Sequence, residues 1–296
     1  MMAGGQLPLL LDLYPNAAAA YSLRKLRTAY TGSAIRVRRS SDNAEQDIGF
    51  DLNNNLDTTA LTTFCGAGNG FVTTWYDQSG NNYNATQTSA TFQPAIVSSG
   101  SVITLAGIGS PKPTLSFDGS NDCLTISGSQ SYFKFIHNGD FATVMSVSRI
   151  LSTGVMGLFG NNGGTSTNIG LTFLSINNDP RFFVSRGVTG SFVVDVSTPN
   201  NTIGANQYLF FSEIDADNSV VANRGKLYIN NGSAYSNTAN NPVSGANATY
   251  DLQIGTRGNN VSPLNGNHQE VVIYNSLNTL NRAGISSNIN SYYGIY

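Results

Sequence analysis

Charge is what this chain has least of. Only 11% of its 296 residues are Asp, Glu, Lys or Arg, against roughly 25% in an average globular protein. Glutamate is confined to Glu45, Glu213 and Glu270, so chemistry that needs a pair of them has few places to reside. Cys65 and Cys123 are too few and too far apart for a zinc motif or a redox CxxC. One disulfide or two reduced, half-buried thiols are left, and reduced thiols are the favoured reading. His137 and His268 stand alone, with no partner at metal spacing, and read as polar surface or turn residues. No run approaches the roughly 20 apolar residues of a membrane helix. Leu7–Leu11 is too short for the core of a signal peptide and no basic stretch precedes it. A net charge of −2 gives no reason to expect nucleic acid or an anionic membrane as partner. Low charge implies disorder only where hydrophobicity is also poor, and 40% hydrophobic is not poor. The expectation is a folded protein without membrane insertion, reaching any extracellular role as part of an assembled particle.

What the chain does have is β-forming runs broken by turn residues. Phe71–Asp77 (FVTTWYD) reads as a strand, with Phe71, Thr73 and Trp75 on one face and Val72, Thr74 and Tyr76 on the other. Gln78–Asn82 (QSGNN) then supplies a turn. Trp75, the only Trp, and Tyr76 are expected to be architectural rather than a ligand platform. Ala17–Tyr30 (AAAAYSLRKLRTAY) reads as a helix capped by Asn16, because alanine is the strongest helix former. Ala34–Arg39 reads as a strand and Asp57–Phe64 as a short helix capped by Asp57. From Pro113 onward short β-rich runs alternate with turn clusters at roughly ten-residue spacing, the pattern of a sandwich or barrel. Thr114–Ile126 is two strands around an Asp-Gly/Asn-Asp turn, and Asn231-Gly232 suits a hairpin turn. Thr279–Tyr293 reads as a terminal helix with Leu280, Ile285, Ile289 and Tyr292 on one side. Residues 1–16 form an N-terminal arm or first strand, and 17–296 one sandwich domain, with an internal boundary conceivable only near 110–113. Arg24, Lys25, Arg27, Arg36, Arg38 and Arg39 concentrate positive charge. They are either a patch for phosphate or an acidic partner, or a solvated face balanced by Asp42, Glu45 and Asp47, which is favoured.

Ala20–Arg24 (AYSLR), Ile35–Asp42 (IRVRRSSD) and the WYDQSG…ATQ run within Phe71–Gln87 together resemble the N-terminal part of the α-L-arabinofuranosidase B type catalytic domain. The segments FDGSNDCLTI, KLYINN, LQIGTR and HQEVVIY resemble the laminin-G and concanavalin A-like lectin and glucanase group. These resemblances imply an all-β fold, a concanavalin A-like jelly-roll sandwich of two antiparallel sheets with short peripheral helices. Copies of the first block also recur in proteins of bacteriophage particles. Retaining glycosidases generally use two carboxyl groups about 5–5.5 Å apart. The resemblance implies a Glu from a mid-chain strand and an Asp from a loop after a late strand, beside adjacent cysteines. The matching strand here, Ile169–Ile176, contains no Glu. The matching loop, Thr256–Gly266, contains no acid and offers Arg257, which cannot donate a proton at neutral pH. The chain has no Cys-Cys pair.

The sequence therefore reads as having no catalytic residue. It reads as a non-catalytic structural or adhesion protein of a phage virion, such as a fibre, spike or decoration subunit. Its partners would be other virion proteins and itself, as a homo-oligomer, with host-surface polysaccharide as candidate ligand. The alternative is a glycoside hydrolase of the arabinofuranosidase type. Candidate ligand-binding residues are Arg257 and Asn259 in the late loop, and Glu213 and Asp215, which at i, i+2 face the same side of a strand. Asp118, Asn121 and Asp122 offer hard oxygens suited to Ca²⁺. Ordinary turn chemistry explains them without an ion, so no cofactor or metal is expected.

Overall fold

The strand Gly70–Trp75 is the junction of the molecule, whose computed structural model describes residues 8–296. One edge pairs with Ile35–Arg39, which pairs onward with Glu45–Ile48. The other edge divides. Thr74 and Trp75 pair with Ala85–Thr86, leading through Leu124–Ile126, Leu252–Ile254, Val155–Gly160, Ile169–Ile176 and Asp179–Arg186 to Phe192–Ser197. Gly70 and Phe71 pair instead with Ala95–Ser98, leading through Leu115–Asp118, Asn265–Tyr274, Phe141–Ile150 and Gln207–Asp215 to Gly225–Ile229. All these pairings are antiparallel, and the two branches are the two layers of a sandwich. The main apolar core fills the space between them, and Phe173 of one layer meets Phe210 of the other with ring centroids 5.3 Å apart. The expected all-β sandwich with short helices is the observed fold.

A second apolar cluster lies on the outer face of the second layer. There Met145, Val147, Leu209, Phe211 and Val272 are covered by the helix Arg282–Tyr293 and by Leu10 and Leu11 of the one-turn helix Leu10–Leu13. Residues 1–7 of the expected arm lie outside the described residues.

Several local expectations are corrected. Ala17–Tyr30 is not a helix. Ala17–Ser22 is a fully buried strand on Glu270–Tyr274, and Asn16 adopts a φ of 67° instead of capping. The helix preference of alanine is a fraction of a kcal/mol per residue, and a slot closed on both faces selects small side chains more strongly than that. The two strands of Thr114–Ile126 do not pair with each other but enter opposite layers. The strand Phe192–Ser197 was not foreseen, and in the hairpin after Ile229 the left-handed residue is Asn230, with φ 56°. The terminal helix starts at Arg282, leaving Leu280 98% exposed. Alternation along Phe71–Asp77 is broken by a bulge, since Arg36 pairs with Thr74 but Val37 with Val72. Val72 and Trp75 therefore both reach the core. Cys65 and Cys123 are free, as favoured, but fully rather than half buried.

The histidines are core residues, not surface ones. His268 donates from Nε2 to the Leu158 carbonyl at 3.0 Å, across the sandwich, and accepts from Ser148 Oγ at 2.8 Å. Burial pushes its pKa down to about 4, so the ring is neutral over the ordinary pH range.

Most of the basic cluster is consumed internally. Arg24 is buried, with Nε 2.8 Å from Glu270 Oε2 and Nη2 3.1 Å from Oε1. Arg36 pairs with Glu45 and Asp47, and Arg39 with Asp42. Arg38 bonds Gln93 and Asn43.

The turn after Trp75 explains why the N-terminal strand holds. Asp77, 2% exposed, accepts from the Ala20 amide (2.9 Å), the Ser79 amide (2.9 Å), Ser79 Oγ (2.8 Å) and the Tyr83 amide (3.1 Å). Trp75 itself is fully buried beside Tyr21, and Tyr76 donates to Asp47 rather than bracing the turn. Asp77→Asn places an NH₂ where amide donors converge and is expected to cost about 2–3 kcal/mol, the scale of a lost buried hydrogen bond to a charged group. Urea unfolding of the variant measures this, and an unchanged midpoint would show that the turn does not hold the strand.

Candidate active site

The loop after the strand Leu252–Ile254 is fixed by close backbone approaches on two sides. Gly255 has a φ of 87°, and a Cβ there would strike the Phe117 ring and stand 3.2 Å from the Asp122 carbonyl. Asn260 accepts from Gln253 Nε2 at 2.9 Å and returns its amide to Gln253 Oε1 at 3.0 Å. Asn259 and Asn260 both take left-handed backbone, φ 54° and 55°. On the other side Gly163 donates its amide to the Arg257 carbonyl at 2.9 Å.

Arg257 lies along a track of glycines. A Cβ on Gly157 would be 2.5 Å from its backbone nitrogen, one on Gly160 2.6 Å from its carbonyl oxygen, and one on Gly164 2.5 Å from its Cζ. The Arg257 Nε is buried with no hydrogen-bond partner, and desolvation lowers the guanidinium pKa. The mid-chain strand arrives at the same loop. A Cβ on Gly170 (φ 127°) would collide with Asn161 Oδ1, which accepts the Leu171 amide at 2.8 Å. Gly258 approaches the Asn161 backbone from the other side. Strand and loop, the two places where the resemblance puts carboxylates, thus converge on Asn161, and neither brings an acid.

The turn that lies against this loop carries Asp122, whose backbone carbonyl oxygen faces Gly255. Asp122 is 7% exposed, and its Oδ2 accepts the Asp118 amide at 3.0 Å. Burial first, then the neighbouring Asp118 charge, pushes its pKa up to about 7. Cys123 next to it donates to Asn260 Oδ1 at 3.1 Å, tying this turn to the loop. Asp118 is exposed and accepts the Ser120 amide at 2.7 Å, while Asn121 Oδ1 is buried without a partner. The three oxygen donors named from sequence for Ca²⁺ do share this turn, with carboxylate oxygens aimed at backbone amides. Among the described residues no three His, Cys, Asp or Glu side chains gather into a metal site.

Glu213 and Asp215 are not part of this site. They lie on the second layer, where Glu213 is 4% exposed with Tyr228 OH 3.4 Å from its Oε2, and Asp215 accepts from Asn218 at 2.6 Å. Arg257 and Asn259 share the late loop, as the sequence implied. The burial of the Asp122 carboxyl was missed, because a turn reading of Asp118–Asp122 gives no sign of it.

Residues 12–139 match the family model for the catalytic domain of α-L-arabinofuranosidase B, a match over less than half of the chain that includes the Asp77 turn. This chain is similar to an arabinofuranosidase catalytic domain. A solved GH54 α-L-arabinofuranosidase soaked with a cyclic sulfate inhibitor has a TM-score of 0.67 at 15% identity, covering 96% of this chain and 64% of that one. An arabinofuranosidase complexed with arabinofuranosyl-α-1,2-xylobiose gives 0.66 with the same identity and coverage. At this identity the likeness shows the fold. The chain spans 64% of the length of these enzymes, a little under two thirds. No curated protein matches it. These findings overturn the expectation of a non-catalytic phage protein, and with it the virion, tail-fibre and host-attachment readings. The family-model match favours instead the reading held as the alternative, a glycoside hydrolase of the arabinofuranosidase type.

The Asp122 environment has a consequence for stability. Its folded pKa of about 7 lies above its unfolded value near 3.8, so its contribution is fully present below about pH 4 and is lost as pH rises through 7. Asp122→Asn keeps an acceptor for the Asp118 amide and removes the titration. The Tm difference, variant minus wild type, is expected to grow between pH 4 and 8. Parallel Tm curves over that range would place this carboxyl in solvent.

Proposed function

We propose that this chain is a glycoside hydrolase acting on arabinofuranosyl-bearing glycans. The observation that carries this reading is the family-model match over residues 12–139, joined to a fold likeness to solved arabinofuranosidases over 96% of the chain. Hydrolysis of a glycoside needs a proton donor at the leaving oxygen and a second carboxylate at the sugar. Neither Gly170 nor Arg257 can fill these roles. Asp122 supports the first: a carboxyl with a pKa of about 7 holds its proton at the pH where it must give it up. Its backbone carbonyl faces Gly255, the root of the loop from which the resemblance supplies the acid. Asp118, exposed in the same turn, is the second carboxylate.

The test is release of 4-nitrophenol from 4-nitrophenyl α-L-arabinofuranoside and of arabinose from arabinan and arabinoxylan. Wild type is expected to cleave with a rate that declines above about pH 7. Asp122→Asn should lower kcat by roughly 10²–10⁴, the usual share of a general acid, without lowering the Tm. No release from any of these substrates by folded protein would overturn the hydrolase reading. Full activity in Asp122→Asn would overturn only the assignment of the acid.

A further inference from the structure

We infer that the Arg257 cradle is a receptor for an anionic group carried on the glycan, a uronate carboxylate or a sulfate ester. This deepens the hydrolase reading by naming a substrate class, and it rests on that reading for where the sugar lies. Arg24, Arg36, Arg39 and Arg181 each have a carboxylate partner within the chain. The half-buried Arg257 guanidinium has no hydrogen-bond or ion-pair partner among the described residues, and its Nε is shielded from water. A buried N–H left without an acceptor is costly. Yet the surroundings are shaped to keep it there: a Cβ on Gly164 would overlap the guanidinium itself, and a Cβ on Gly157 or Gly160 would overlap the backbone that carries it. Glycine inside a strand such as Val155–Gly160 weakens the strand and commonly marks a close approach of this kind.

A second observation points the same way. Asn161 is fully buried on the adjoining loop after Gly160, and its Nδ2 has no acceptor, although its Oδ1 is engaged by the Leu171 amide. A cation and an amide N–H, both short of acceptors, lie on two loops joined by the Gly163–Arg257 hydrogen bond, and no carboxylate of the described residues pairs with either. Groups of this kind complement an oxyanion, and a planar guanidinium does so with two parallel hydrogen bonds. A neutral arabinofuranosyl unit offers no such group, whereas an acidic side chain or backbone sugar does.

Binding, which requires no cleavage, tests this. The full chain is titrated calorimetrically with a uronate-bearing xylan oligosaccharide, its carboxyl-reduced counterpart and a sulfated oligosaccharide of similar length. Wild type is expected to bind the uronate, more weakly at high salt, and not its reduced form. Arg257→Gln should weaken binding at least about tenfold, the loss of one charge-assisted fork. Arg257→Lys, which keeps the charge but not the fork, should fall between the two. Binding of the sulfated sugar alone would keep the receptor and assign sulfate as its ligand. Equal binding of uronate and reduced sugars, no binding of either anion, or unchanged affinity in an Arg257→Gln protein of native Tm would overturn the proposal. Anion binding without cleavage counts against the hydrolase reading only, and cleavage indifferent to the anion against this one only.

Discussion

The constraint on which the rest of the structure depends is the need to hold a strand that is mostly alanine. Apart from Tyr21, Ala17–Ser22 has little side-chain area with which to anchor itself, yet it pairs along the Glu270–Tyr274 half of the strand Asn265–Tyr274. Its backbone is held from the side by the turn after Trp75. Asp77 takes the Ala20 amide, Gln78 takes the Leu26 amide and donates to the Ser22 and Arg24 carbonyls, and Asn81 donates to the Ala17 and Ala18 carbonyls. Side chains here do what a neighbouring strand does elsewhere in a sheet, satisfying buried backbone groups that water cannot reach. The stretch by which the chain is most easily recognised is therefore a clamp. Its likeness to an enzyme family reports shared construction at a place remote in role from proton transfer.

The buried ion pair carries this construction across the molecule. Glu270 sits on the strand that the alanines flank, and Arg24 follows the alanine strand directly. Ser22 Oγ at 2.8 Å and Tyr293 OH at 3.1 Å share the Glu270 Oε2, and Arg24 Nη1 reaches Asn288 at 3.0 Å. Residues near both ends of the chain thus meet in one network. Replacing such a pair by apolar residues is often no loss, but removing one partner strands a charge in the interior. The three other buried donors and acceptors make this geometry specific: the terminal helix can dock only where Tyr293 and Asn288 find the pair.

Fold class was legible in the sequence because period-two alternation and turn residues survive from Pro113 to Tyr274, and most of those runs are strands. Asp57 was readable as a cap because its side chain accepts locally, from the Ala60 amide at 2.9 Å. The failures have one physical origin. Ala17–Ser22 was misread because burial on both faces selects small residues whatever their helix preference, and that selection acts through residues some 250 positions away. His268 was misread because its partners, Leu158 and Ser148, come from separate strands. Asp118–Asp122 was read correctly as a turn, but the burial of one carboxyl depends on which layer each flanking strand enters.

The candidate site shows the same limit in its chemistry. Sequence reading compared a strand and a loop with a pattern, found no Glu in Ile169–Ile176 and Arg257 in place of an acid in the loop, and concluded that the chemistry was gone. That inference treats a site as a set of positions, whereas a site is a volume that several segments border. The loop after Gly255 is bordered on one side by the Asp118–Cys123 turn, which carries a carboxyl held near neutrality by burial. On the other it is bordered by a glycine-lined groove that holds an unpaired guanidinium. A proton donor can come from the turn instead of the loop, since catalysis depends on where the proton stands and how firmly it is held. A cation in place of an acid changes what the volume prefers to bind: it repels no carboxylate and rewards one. The glycines at 157, 160, 164 and 170 then have a common explanation, because a Cβ on each would overlap Arg257 or Asn161.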